Sequence, residues 1–167
     1  ITFHCELKEG VLFHDGTELK ATDVEFTFKR MFLPETVCVN TFLCDMILGA
    51  KEMLNGETTE LAGFTVTGDY TFDITLESPY APFLSVLACE QLSIYPEKAC
   101  TEAGDRWGVD VFVGTGPFKL KEFTPKDRLV VERFEDYHGE QPYLDQIEMY
   151  NMDANTMLLE YESGNLD

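Results

Sequence analysis

The segment that most constrains the fold is Val113-Gly114-Thr115-Gly116-Pro117-Phe118, whose glycine spacing superficially resembles a phosphate-binding loop. Such a loop presents backbone N–H groups to phosphate and leads directly into a helix. Pro117 has no N–H group to donate. Residues 118–123 then begin by alternating apolar and charged side chains, as a half-buried strand does. The segment is therefore predicted to be a turn that leads into a β-strand, and nucleotide binding is disfavoured.

The composition of this turn also predicts what its residues do. Gly114 and Gly116 are expected to permit backbone angles or close approaches that side chains would prevent. Pro117 is expected to stiffen the exit from the turn, because its ring fixes one backbone dihedral. The role predicted for this turn is structural.

The charge of the chain excludes some partners. Its 12 basic and 31 acidic residues give a formal net charge of −19, which would repel a nucleic acid or an anionic membrane surface. No nucleic-acid partner is therefore expected. A hydrophobic content of 44% argues against disorder, and the apolar runs are too short to cross a bilayer.

The start of the chain favours a piece of a longer protein. It lacks an initiating methionine, and residues 1–7 alternate like a strand instead of showing a basic segment followed by an apolar one. We expect an excised or processed chain whose targeting signal lies upstream.

The cysteines predict no metal site. Cys5, Cys38, Cys44, Cys89 and Cys100 form no C-x-x-C pair and no cluster with histidine at zinc spacing. Neither a metal nor a cofactor is expected. An odd number leaves at least one free thiol in a monomer. A bridge between Cys38 and Cys44 is conceivable in an oxidising compartment, and the pairing stays open.

Catalytic residues are not evident. His14 stands beside Asp15, as an oriented base would, but no serine or cysteine nucleophile is identifiable near it in the sequence, so a turn histidine is favoured. Asp15, Glu25 and Asp136 could in principle form a carboxylate pair. Chance neighbours are expected among 31 acidic residues, and no enzyme activity is predicted.

Hydrophobic periodicity predicts a mixed α/β chain of the α+β class, with β-hairpins and short helices. The first helix is predicted over 23–31, with Thr22 and Glu25 as its capping box. Asp153 is predicted to cap the last helix, which ends at Ser163-Gly164. The remaining helices are predicted to end near 55–56 and to cover 82–87 and 97–103. Strands are predicted at 1–7, 64–66, 70–76, 94–96, 118–123, 129–134 and 147–150.

Taken in order, these pieces resemble the family 5 extracellular solute-binding proteins of ABC transporters, which capture peptides and some other solutes such as nickel complexes. Each motif alone is weak, but their order and spacing cover essentially the whole chain. The motifs are the stretch 3–17 with Phe13-His14-Asp15-Gly16-Thr17 at its end, Ala21-Thr22-Asp23-Val24, the stretch 75–84, the Gly114-Thr115-Gly116-Pro117-Phe118 turn, Glu132-Arg133, Asp136-Tyr137, Pro142-Tyr143-Leu144-Asp145 and Ser163-Gly164-Asn165-Leu166-Asp167.

The resemblance implies part of the first lobe of a type II periplasmic-binding-protein-like (class C) fold. Residues 1–113 would form the small subdomain of that lobe and 114–167 part of its main subdomain, with the second lobe absent. The chain would then be an incomplete fragment with an incomplete ligand cleft. His138 stands where the family pattern after Asp136-Tyr137 has a tryptophan-like position.

The resemblance also implies a function. Members capture a solute, most often a peptide, and deliver it to the permease of an ABC importer, either from the periplasm or as cell-surface lipoproteins. By analogy, Val39, Asn40 and Phe42, on the loop after the first helix, would face the ligand. Thr115 is a further candidate.

Two alternatives remain beside this interpretation. The same fold could serve as a protein-interaction or signalling module, and a carboxylate-based hydrolase is the third possibility. Surfaces that the absent parts would cover should leave strand edges and apolar patches exposed. Such surfaces favour dimerisation or strand exchange of the isolated chain.

Overall fold

Two antiparallel three-stranded sheets and five α-helices make up the computed structural model, which describes residues 1–167. The predicted mixed α+β class is confirmed. The strands are β1 (Thr2–Glu6), β2 (Phe64–Gly68), β3 (Thr71–Thr75), β4 (Phe118–Thr124), β5 (Arg128–Arg133) and β6 (Gln146–Tyr150). The helices are α1 (Ala21–Phe32), α2 (Ala50–Leu54), α3 (Phe83–Leu87), α4 (Glu97–Ala103) and α5 (Ala154–Glu162).

The first sheet has the strand order β1-β3-β2. Its central strand, β3, pairs with β1 from Thr2 opposite Thr75 to Glu6 opposite Thr71. On its other side β3 forms the predicted hairpin with β2. Because side chains alternate along a strand, one face of this sheet is apolar and the other polar.

The apolar face of the first sheet is buried beneath α1. Phe64 stacks on Phe72 with ring centroids 5.1 Å apart, and Phe28 of α1 lies 5.7 Å from Phe64. A single cluster of 19 buried residues, all between Val11 and Leu92, includes these rings and the buried face of α1. The apolar face of the amphipathic helix α1 therefore forms part of the core.

The start of α1 differs from the prediction. The helix begins at Ala21, and the Lys20 N–H donates to the Asp23 carboxylate at 3.0 Å. Asp23 therefore has the role that the sequence pattern assigned to Glu25, and the Thr22 capping box is wrong. The Glu25 carboxylate instead lies 3.1 Å from the ammonium group of Lys29, one turn along the helix.

The predicted strand at 94–96 is also wrong. These residues form no strand. The Tyr95 N–H donates to the Thr27 hydroxyl on α1 at 3.4 Å. The Thr27 side chain of α1 thus takes the Tyr95 N–H group that would otherwise pair with a neighbouring strand.

The second sheet has the order β4-β5-β6, and its β4–β5 hairpin is confirmed. Its register shifts between Leu120 and Glu122, which is a β-bulge. The predicted cap of α5 is confirmed, because the Asp153 carboxylate accepts the N–H groups of Asn155 and Thr156. The two sheets lie on either side of the boundary drawn between residues 113 and 114, which stays a prediction.

All five cysteines are free thiols, so no bridge joins Cys38 to Cys44. Cys44 is fully buried in the core. Burial raises the pKa of the Cys44 thiol to about 12, and the nearby Asp45 carboxylate and Cys89 thiol act in the same direction. Because the thiolate is the reactive form, Cys44 behaves as an apolar core residue. No helix has the length and hydropathy needed to cross a bilayer.

The glycines of the 113–118 turn lack the backbone roles predicted for them. Neither Gly114 nor Gly116 has a positive φ. A Cβ atom added to Gly116 would meet nothing within 4 Å, and one added to Gly114 would make only an ordinary contact of 3.8 Å with His14. Neither position therefore requires glycine for a left-handed backbone or a close approach.

Gly63 is the glycine that the first sheet requires. Its N–H donates to Leu48 O at 2.6 Å, and its carbonyl accepts the Thr75 N–H at 2.7 Å. A Cβ atom at this position would lie 2.5 Å from Thr75 O and 2.8 Å from Leu48 N. Backbone on both sides therefore excludes any side chain.

The substitution Gly63→Ala is expected to lower the free energy of unfolding by about 1–3 kcal/mol, because the new methyl group forces packed backbone apart. Gly116→Ala is the matched control, and it should change stability by no more than about 1 kcal/mol, in the stabilising direction. Urea unfolding followed by circular dichroism measures both. Equal destabilisation by the two substitutions would contradict the structural assignment.

Candidate functional site

The predicted ligand loop lies between α1 and α2 and exposes apolar side chains. Val37, Val39 and Phe42 are 79%, 81% and 64% exposed, whereas Asn40 is half-buried. Short 3-10 turns at Pro34–Thr36 and Thr41–Leu43 shape the loop. Large apolar side chains that gather on one exposed loop are typical of a surface that another molecule covers.

The backbone of this loop is strained at Val37. Its φ of 50° and ψ of 41° lie in the left-handed region, which is unfavourable for a β-branched residue. The Val37 N–H donates to Pro34 O at 3.2 Å, which closes the first turn. Strained residues of this kind cluster at ligand-binding sites, so the strain agrees with a binding role for the loop.

The stem of the loop is fixed although its tip is exposed. Cys44 is fully buried, and Cys38 and Leu43 pack against the core cluster. The Asn40 carbonyl accepts the Leu43 N–H at 3.1 Å. The exposed side chains are therefore presented from an anchored backbone, which limits the entropy lost when a ligand binds.

Thr115 lies in a different part of the structure, in the glycine segment. Backbone and ring atoms of His14 bond to both neighbours of Thr115. The His14 N–H donates to Gly114 O at 2.9 Å, and the Gly114 N–H donates to His14 Nδ1 at 3.2 Å. His14 Nε2 lies 3.0 Å from Gly116 O. His14 thus joins the turn at 13–17 to a segment 100 residues later.

The structure brings together only some of the predicted site residues. Val39, Asn40 and Phe42 share one loop, and no hydrogen bond links that loop to Thr115. The predicted role of His14 was a local turn histidine, and its contact with the glycine segment was missed. No signal in one sequence could pair residues 14 and 114, because the contact depends on the tertiary fold.

An apolar groove of about 430 Å³ lies beside His14, between the residues that follow α3 and the second sheet. Its walls are largely apolar, and three of the aromatic rings among them are Tyr95, Trp107 and Phe112. Tyr95 packs 5.3 Å from Trp107, and Phe112 lies edge-on to Phe123 at 5.9 Å. Sequence reasoning missed this groove because its walls come from distant segments.

A second groove, of about 920 Å³, lies between β6 and α5. Met149, Met157 and Leu158 line it and are 46%, 47% and 56% exposed. No three His, Cys, Asp or Glu side chains are grouped so that they could hold a metal ion.

The sequence profile of the bacterial extracellular solute-binding proteins, family 5 Middle, matches residues 1–167, which is the whole chain. The chain belongs to this family. The family resemblance expected from the motifs is therefore confirmed. The match includes both the exposed loop and the glycine segment.

The sequences of two bacterial peptide-binding proteins align with almost the entire chain. The dipeptide-binding protein DppE of Bacillus subtilis is 30% identical over 99% of the chain. The periplasmic oligopeptide-binding protein OppA of Salmonella typhimurium is 28% identical over 99% of the chain. The chain spans only 31% of the length of either relative.

A solved structure of a related protein has the same fold over almost the whole chain. The Listeria monocytogenes OppA bound to peptide matches 99% of this chain with a TM-score of 0.92 and 26% sequence identity. The match covers 34% of that protein. The two sheets and the helices of this chain therefore correspond to a part of the first lobe of an OppA-type protein, as expected.

Proposed function

We propose that this chain is part of a solute-binding protein that captures a peptide outside the cytoplasm and delivers it to the permease of an ABC importer. The observation that carries this proposal is the match of 99% of the chain to the peptide-bound OppA structure at a TM-score of 0.92. The names of the two relatives, a dipeptide-binding and an oligopeptide-binding protein, support a peptide as the solute.

The chain's own contribution to peptide binding would be the exposed loop. The Val39 and Phe42 side chains offer apolar surface that a peptide side chain can cover, and the Asn40 amide can both donate to and accept from a peptide backbone. A site for varied peptides needs such tolerant apolar contacts together with backbone hydrogen bonds. The Thr115 hydroxyl would add a polar contact only in the assembled cleft.

Binding by the full-length protein would close two lobes over the peptide, so that ligand affinity shifts an open–closed equilibrium. The closed form would be the one that the permease recognises. The peptide is carried without being changed, and we propose no catalytic step. The site of action is either the periplasm or the outer cell surface, where a lipid anchor would hold the protein.

In the full-length protein, Phe42→Ala is expected to weaken peptide binding about tenfold, because the lost ring no longer covers apolar ligand surface. Leu84→Ala is a matched control, since Leu84 is 62% exposed on α3 and Phe42 is 64% exposed on the loop. Isothermal titration calorimetry with one tight-binding peptide measures both dissociation constants. Equal affinity of the Phe42 variant and the wild type would contradict the role of the loop.

The isolated chain is expected not to bind peptides with useful affinity, because it spans only 31% of the relatives' length and would supply one wall of the cleft. Calorimetry with di-, tri- and pentapeptides should show no binding at micromolar concentrations. Circular dichroism of the same sample checks that the chain is folded. Micromolar binding of any short peptide would contradict the two-lobe mechanism.

The isolated chain is also expected to self-associate through its exposed strand edges and apolar surfaces. Its net charge of −19 opposes association, so added salt should promote it by screening that charge. Multi-angle light scattering should show a mass that rises above 19.0 kDa with concentration. Met149→Lys should reduce the effect more than the control Leu84→Lys. A pure monomer at high concentration and high salt would contradict this expectation.

A further inference from the structure

The bonding of the His14 ring specifies its protonation state. Nδ1 faces the Gly114 N–H at 3.2 Å, so this nitrogen must accept and carries no hydrogen. Nε2 faces Gly116 O at 3.0 Å, so it must donate. Only the neutral ring with its hydrogen on Nε2 satisfies both partners, because the doubly protonated ring has no acceptor.

Protonation of the His14 ring would break the hydrogen bond that Nδ1 accepts from the Gly114 N–H. The added hydrogen on Nδ1 would point at the Gly114 N–H, and two donors would then face each other. The bond from Nε2 to Gly116 O would survive, but Gly114 would lose its ring acceptor. An unpaired, half-buried donor costs free energy, so the protonated ring favours separation from the glycine segment.

The surroundings of the ring contain few groups that could offset this effect. The Phe134 ring packs against the His14 ring, with the ring centroids 5.0 Å apart and an angle of 75° between the ring planes. Asp15, in the same turn, and Lys119, on β4, are the charged groups that act on the ring. The Asp15 carboxylate already accepts the Thr17 N–H and hydroxyl, at 2.9 and 2.6 Å.

These surroundings favour the neutral ring. Partial burial lowers the pKa of His14 below its ordinary value of 6.5. The hydrogen bond to Gly116 raises the pKa, the Lys119 ammonium lowers it, and the Asp15 carboxylate raises it, each less strongly than burial acts. The other side chains of the adjacent groove carry no charge.

We propose that His14 is a pH-sensitive latch, which holds residues 114–116 against the 13–17 turn most firmly while its ring is neutral and less firmly when the ring is protonated. Protonation removes the bond from the Gly114 N–H to Nδ1 and leaves the bonds from the His14 N–H to Gly114 O and from Nε2 to Gly116 O. The latch depends on the contacts of this chain and not on the identity of any solute. If the proposed function also holds, the loosened segment would let Thr115 move and so couple peptide binding to pH.

Because the pKa of His14 differs between the folded and the unfolded chain, the free energy of unfolding depends on pH. Well above about pH 6.5 the ring is neutral in both the folded and the unfolded chain, so the contribution of the latch is complete. As the pH falls, the unfolded chain takes up the proton first. The stabilisation is then progressively lost until the pH has passed below the lower pKa of the folded state.

The test is an NMR titration of the 167-residue chain from about pH 8 to about pH 5, the range in which histidine changes charge. The double substitution His4→Gln and His138→Gln leaves His14 as the only titrating histidine of the three. Nitrogen-15 shifts of the ring report the tautomer and the pKa. Hydrogen-exchange protection of the Gly114 amide, corrected for the intrinsic exchange rate, reports the latch.

We expect the Nε2–H tautomer at high pH, an inflection below pH 6.5 and a severalfold loss of Gly114 protection at the same inflection. His14→Asn is the matched variant, because its amide oxygen can take the acceptor position of Nδ1 without titrating. Its Gly114 protection should not change over this range. If this variant does not fold, the titration of the His14 protein alone decides the question.

The proposal would be overturned by an Nδ1–H tautomer, by an inflection at or above pH 6.5, or by Gly114 protection that stays constant through the inflection. Each of these outcomes can be read without a peptide. Failure of the latch is therefore distinguishable from failure of the proposed transport function.

Discussion

The pairing of β1 with β3 is the constraint on which the rest of the structure depends. It places Thr2 opposite Thr75 and closes the intervening chain into one loop. Closing a loop of this length costs chain entropy, and burial of the apolar sheet face beneath α1 offsets that cost. All 19 residues of the core cluster lie between Val11 and Leu92, and β1 adds Phe3 and Cys5, which pack against it. The position of the exposed loop between α1 and α2 follows from this core.

The tip of the loop between α1 and α2 is exposed because the core holds the stem of that loop. Because Cys44 is buried and Leu43 packs against the cluster, the loop cannot fold inward to cover its own apolar tip. Val39 and Phe42 therefore remain on the surface. In the function that we propose, this chain is one wall of a cleft in a protein about three times longer, and the exposed tip contacts the ligand.

Much of the fold could be predicted because local patterns specify local structure. Alternation identified the β2–β3 and β4–β5 hairpins, and Asp153 identified the start of α5. Errors arose where another contact replaced the predicted one, a local contact at the start of α1 and a tertiary contact at Tyr95. Asp23 supplies the carboxylate at the start of α1 in place of Glu25, and Thr27 occupies the backbone of Tyr95 where a strand was predicted. The exposed loop was predicted only through the family resemblance, and the His14 contact with Gly114 was missed because nothing local specifies it.

We propose that this chain contributes the loop at 37–44 to the peptide-binding surface of a longer protein, and photo-crosslinking tests this role. The full-length protein would be irradiated with a bound peptide that carries benzoylphenylalanine, and the adducts would be mapped by mass spectrometry. We expect adducts within residues 37–44 that an excess of unlabelled peptide removes. Competable adducts confined to other parts of the protein, at every label position along the peptide, would show that the loop does not contact the peptide.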